Sequence, residues 1–80
     1  MPRFYFTVRD QEGEALDDEG AELADVETAL IHAAAGARCM MSDSIRHGTL
    51  DFAASIGIET EDRTEVARLR FGEAVKINDP

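Results

Sequence analysis

The stretch from Asp25 to Gly48 constrains the fold of this chain more than any other. Asp25 is a strong N-cap residue, Glu27 sits in the first turn where the helix dipole favours an acid, and Gly48 is a natural terminator. The spacing predicts one helix over residues 26–47. At 3.6 residues per turn, Val26, Ala29, Leu30, Ala33, Ala37, Met40, Met41 and Ser44 share a face. Alanines one turn apart, with Gly36 at the margin, let the helix axis lie close to the layer it covers, while the two methionines fill irregular space at the far end. A helix with a single apolar face must bury it against a second layer.

That layer is written on either side of the helix. Residues 3–9 alternate strictly, Phe4, Phe6 and Val8 against Arg3, Tyr5, Thr7 and Arg9, the period of a half-buried strand. Asp10-Gln11-Glu12-Gly13 supplies turn chemistry, and Glu14-Ala15-Leu16 pairs back as a short second strand. After the helix come a strand from Ser55 to Thr60 with Ile56 and Ile58 inward, a turn at Glu61-Asp62-Arg63, and a strand from Thr64 to Phe71 with Ala67, Leu69 and Phe71 on one side. The expected fold is α+β, an antiparallel sheet of three or four strands in ββαββ order with the helix on one face and the opposite face open. Eighty residues fit one domain, predicted over 1–75 with a frayed tail at 76–80. A chain of this size buries only about 60–65% of its unfolded surface, so its stability margin is thin.

Charge narrows the function classes. The net charge is −9, with nine acids and two arginines in residues 1–27 against eight acids and six basic residues in 28–80. A field of this sign repels phosphate backbones, which argues against nucleic acid as a partner. A single cysteine, Cys39, leaves no internal disulfide and fits a reducing cytoplasm. No run approaches the ~20 apolar residues of a spanning helix, and the N-terminus lacks a signal-peptide layout, so no membrane partner is expected.

Candidate chemistry is sparse. With Gly20 at position 6 of a calcium loop, Ala15 falls at position 1 and Val26 at position 12, so the acidic stretch Asp10–Glu22 reads as a solvated loop. His32, Cys39, Asp43 and His47 lie along one side of the helix. At 1.5 Å per residue, however, Cys39 is about 10 Å along the axis from His32 and about 12 Å from His47, too far to activate the thiol or share a metal. The six glycines form no phosphate-cradling run, and no nucleophile-elbow motif is present. These readings predict no cofactor and no enzyme activity.

The alternation that buries Phe4, Phe6, Leu69 and Phe71 sends Arg3, Tyr5, Arg9, Val66, Arg68 and Arg70 to the opposite sheet face, which gathers four of the eight basic residues. Two readings follow. The arginines pair across strands with Glu59 and Glu65, or they form an interaction face for an acidic partner, including the acidic loop of a second copy. One aromatic, Tyr5, is fewer than a sheet-type RNA reader uses. The expectation is a non-enzymatic protein-association module, a homodimer or an adaptor-like partner, with an antitoxin-like or nucleic-acid-linked regulator as the alternative.

The start Met1-Pro2-Arg3-Phe4-Tyr5-Phe6-Thr7-Val8, the turn Asp10 to Gly13, the stretch Asp17-Asp18-Glu19-Gly20-Ala21-Glu22-Leu23, the Asp-capped Ala-rich helix Asp25 to Ala37 and the hairpin Ile56 to Phe71 resemble a family of short uncharacterised bacterial proteins of the rhizobial type. The resemblance implies a small α+β domain in an intracellular setting and carries no catalytic residues. More distantly the chain is similar to HicB-type antitoxin domains, which also begin with an aromatic-rich strand and place one helix on an antiparallel sheet. The separate DNA-binding segment such antitoxins append has no counterpart in these residues, which points away from a repressor role.

Overall fold

Strand β1, Arg3–Asp10, is the spine of the sheet in the computed structural model of the chain, which describes residues 1–78. Its alternation places Phe4 in the core, with Phe6 and Val8 partly buried against it. The chain turns at Gln11-Glu12, where the Asp10 carboxylate accepts the Glu12 N–H at 2.8 Å, and returns as β2, Gly13–Ala15, antiparallel to β1 with Val8 opposite Ala15.

A strand absent from the sequence reading follows. β3 is only Ala21–Glu22 and pairs with β1 through Arg3–Glu22 and Phe4–Ala21. Two residues are too few to register any alternation. Between β2 and β3 the segment Leu16–Gly20 loops out of the ladder, and Asp17 fills the gap. One carboxylate oxygen accepts the Phe6 N–H at 3.1 Å where a strand carbonyl would stand, and the other accepts the N–H groups of Glu19 and Gly20, each at 3.1 Å. Gly20 (φ 68°) closes the loop against the Phe4 carbonyl and the Tyr5 ring.

Helix α1, Val26–Arg46, begins as expected: the Asp25 carboxylate accepts the Thr28 N–H at 2.8 Å. It ends one residue earlier than the predicted His47, which is the C-cap. Gly48 (φ 85°) then donates to the Ile45 carbonyl and Thr49 to that of Ser44, the paired bonds of a Schellman stop. Ala29, Ala33, Ala37 and Met41 are the buried residues of the helix, and Ala35 is exposed, which matches the expected phase.

β4, Ser55–Glu59, runs antiparallel to β1, and every one of its residues is buried. The turn that follows is held by Asp62, which accepts the Thr60 hydroxyl and the Thr64 N–H, and by Arg63 in the left-handed region at φ 66°. β5, Glu65–Arg70, completes the sheet in the order β2-β1-β4-β5, with β3 beside β2 on β1. Its register with β4 jumps from Ala67 opposite Ile58 to Glu65 opposite Glu59, leaving Val66 as the extra residue of a bulge. Phe71, expected at the end of the last strand, instead opens a 3₁₀ turn, Phe71–Ala74, that Arg38 of the helix fastens through its Nε–H to the Ala74 carbonyl at 2.8 Å.

The α+β class and the one-sided helix stand, and the strand number and order are corrected: five antiparallel strands in βββαββ order. Of the tail expected at 76–80, residues 76–78 carry no regular structure and the rest lies outside the described residues. The core consists of Phe4, Ile56, Ile58, Phe71 and Met41 with the helix alanines, Ala54 and Ala74. No described helix is long and apolar enough to cross a membrane.

Candidate functional site

The sheet face away from α1 is not open. Thr7 is 0% exposed and Glu59 5% exposed on that face, because long charged side chains from the flanking strands fold over the middle of the sheet. Glu59 is the centre. Its carboxylate accepts from the Thr7 hydroxyl at 3.0 Å and lies 3.4 Å from both the Arg9 and the Arg63 guanidinium groups. A carboxylate removed from water needs such donors, and here three reach it. Arg9 also reaches Glu14 at 2.7 Å and Glu65 at 3.1 Å, and Glu65 passes the chain of charges on to Arg68 at 3.1 Å. The hydrogen bond that Arg9 donates to Glu14 holds the guanidinium above its ordinary value against partial desolvation, with the charges of Glu14, Glu65 and Glu59 adding to it.

Gly57 makes this closure possible. It lies on the outer face of β4 opposite Thr7 and Arg68, and the Arg9–Glu65 pair crosses the space a side chain would fill: a Cβ there would stand 2.6 Å from Arg9 Nη1 and closer still to Glu65 Oε1.

Each residue of the expected interaction face can now be placed. Arg3 is bound at the β3 edge by Glu22 at 3.0 Å and the Glu19 carbonyl at 2.8 Å. Tyr5 lies beneath Arg63, whose guanidinium carbon is 4.2 Å from the ring centroid. Arg9 belongs to the central network, and Val66 is exposed at the bulge. Arg68 holds Glu65, while among the described residues the Arg70 guanidinium makes no ion pair. The cross-strand pairing anticipated with Glu59 and Glu65 therefore accounts for Arg9, while Arg68 pairs with Glu65 along its own strand and Arg63 joins Glu59 from the turn.

The Asp17 carboxyl adds a pH signature. Desolvation pushes it up, but the N–H groups of Gly20, Phe6 and Glu19 and the Arg63 charge outweigh that and hold it below the usual carboxylate range. A depressed carboxyl contributes stability that is complete above its unfolded value, about 3.9, and is lost as the pH falls through the folded value. Melting temperatures measured from pH 7 downward are therefore expected to drop in the acid range. Asp17→Asn should shrink that acid limb without abolishing it, because Asp25 and Asp62 are depressed as well. An acid limb of unchanged size in the variant would remove Asp17 from this role.

A second surface lies at the C-terminal end of α1. An open groove of about 630 Å³ runs between the helix, the connection to β4 and the residues after the 3₁₀ turn, with Met41 at its base and Ile45, Leu50, Phe52 and Val75 along its walls. Ile45 is 60% exposed and Phe52 40% exposed. Phe52 also walls a neighbouring depression of about 570 Å³ whose other side is Ser55, Arg68 and Arg70. An apolar groove and an arginine-lined hollow thus share one aromatic ridge. The sequence reading missed this surface because Leu50 and Phe52 lie in a connection without periodicity. Its trace in the sequence was Ile45, one turn beyond Met41 yet not needed by the core.

For chemistry, the residues singled out on the helix remain apart. Cys39 is exposed, His47 Nδ1 lies 2.9 Å from the Asp43 carbonyl of its own helix, and the His32 ring lies tilted against Phe6 with ring centroids 4.8 Å apart. Among the described residues no three His, Cys, Asp or Glu side chains converge on a metal position. Residues 3–72 match the model of a family described as a domain of unknown function, DUF6894. No curated protein and no solved structure matches the chain.

Proposed function

We propose that this chain, which belongs to the DUF6894 family, is a non-enzymatic association module that forms a homodimer through the apolar groove at the end of α1. The observation that carries the reading is the contiguous exposure of Ile45, Leu50, Phe52 and Val75 around one groove on a chain of only eighty residues. Scattered exposed apolar residues need no explanation, but a grouped set is the mark of a contact surface. The ion pairs on the outer sheet face support the same choice, since Arg9 at its centre already meets three carboxylates. They also weigh against nucleic acid, because a phosphate would have to displace those carboxylates on a chain of net charge −9.

The interface would belong to the small, transient class, near 1,000 Å² or less, and its affinity should be correspondingly modest. Sedimentation of the parent across a concentration series is expected to move from the chain mass toward twice that mass. Leu50→Asp places a charge in the groove at a position outside the core and should hold the chain at single mass with an unchanged circular dichroism spectrum. A parent that remains at single mass up to about 1 mM overturns the homodimer.

A further inference from the structure

Resting on that reading, we infer that the occupant of the groove is the acidic loop after β2 of a second copy, with Leu16 seated beside Phe52 and the acids behind it facing Arg68 and Arg70. Three observations lead there. First, the receiving surface has two parts in fixed relation, an apolar groove and an arginine-lined hollow divided by Phe52, so it fits a segment that places a bulky apolar residue next to acidic ones. Second, the chain carries such a segment. Leu16 is 61% exposed and unused by the core, and the exposed Asp18 and Glu19 follow within three residues. Third, the loop is already ordered. Asp17 fastens it to β1 through the Phe6 N–H, and Gly20 packs it on Phe4 and Tyr5, so docking Leu16 freezes little additional backbone.

The loop lies on the β2 side of the sheet, and the hollow lies on the β5 side. Each copy thus offers a loop at one edge and a receptor at the other, and exchange of both contacts within one closed pair requires that the two copies be related by a two-fold axis. The complementarity is local. The acids come from the strongly acidic N-terminal third, and the receptor arginines come from the remainder of the chain, where acids and bases are nearly balanced. Salt should therefore weaken the pair, slowing encounter between these charged patches most of all.

A complementation experiment separates the occupant from the groove. Leu16→Asp removes the loop anchor at an exposed position, and Leu50→Asp spoils the groove; each variant alone should stay at single mass where the parent is dimeric. Mixed in equal amounts they should form a one-to-one pair, because the intact groove of the Leu16→Asp chain can receive the intact loop of the Leu50→Asp chain. The mixed pair keeps one contact of two, so its dissociation constant should be at least about tenfold weaker than the parent's. Self-association of Leu16→Asp at parental strength, with Leu50→Asp still monomeric, would discard the loop as occupant and leave the association reading standing. Self-association of both variants at parental strength would discard the occupant and the groove together. Failure of the mixture to pair, with both variants folded, would also overturn the proposed exchange.

Discussion

Ala33→Leu and Ala37→Leu are each expected to destabilise the domain by about 1–3 kcal/mol, while Ala35→Leu should be close to neutral. Ala33 and Ala37 are buried in the contact between α1 and the sheet, and Ala35 is exposed. Three added carbons at a closed contact force the helix away from Ile56 and Ile58 or drive side chains off their rotamers, and a small domain has only about 5–10 kcal/mol in hand. Urea melts of the three variants decide the matter. Midpoints that fall together would mean that the alanine face does not set the helix-to-sheet distance.

Gly20→Ala is the second substitution expected to act strongly. The residue has a φ of 68°, where a Cβ is disfavoured by about 1–2 kcal/mol, and the added carbon would stand 2.7 Å from the Phe4 carbonyl oxygen of β1. That neighbour is backbone and cannot rotate aside, so the loop or the β1–β3 pairing must shift, and a total loss of about 2–3 kcal/mol is expected. Gly13 also has a positive φ but open space around its missing Cβ. Gly13→Ala should therefore act through the backbone alone, at a φ of 136° that side chains tolerate less than 68°. If Gly20→Ala loses no more than the about 1–2 kcal/mol of its backbone conformation, the close approach at Gly20 contributes nothing.

These two sites mark where the fold was legible in the sequence and where it was not. The helix could be read because its signals are local and redundant: an N-cap, a first-turn acid, a repeating small face and a terminating glycine. The inward faces of β1, β4 and β5 could be read for a similar reason, since alternation over five or more residues assigns a side to each. β3 could not, because a two-residue strand has no period and its pairing is fixed by the Asp17 carboxylate and Gly20, neither of which announces a partner far along the chain. The 3₁₀ turn was hidden inside a continued strand pattern that Phe71 extends perfectly well.

The outer sheet face was legible in which side chains point to it and not in how they pair there. Alternation correctly gathered arginines on the outer face, but whether such a face is open depends on which side chains can cross it. That is decided by Gly57, whose missing side chain makes room for the Arg9–Glu65 pair, and by the bulge at Val66, where Glu65 comes opposite Glu59. Arg63 joins the network from a turn, outside any periodic pattern. The groove was less legible still: Phe52 and Leu50 come from a connection, Ile45 from the helix and Val75 from beyond the last turn, and only the folded chain brings them together.

The two surfaces can be distinguished in a single measurement, a concentration series of methyl NMR spectra on the parent protein. The methyl resonances of Ile45, Leu50 and Val75 are expected to move together and saturably as the protein is concentrated, while that of Thr7, buried under the ion pairs at the centre of the outer sheet face, stays in place. Movement of the Thr7 signal with the groove methyls unchanged would overturn association through the groove and return the contact to the middle of the outer sheet face.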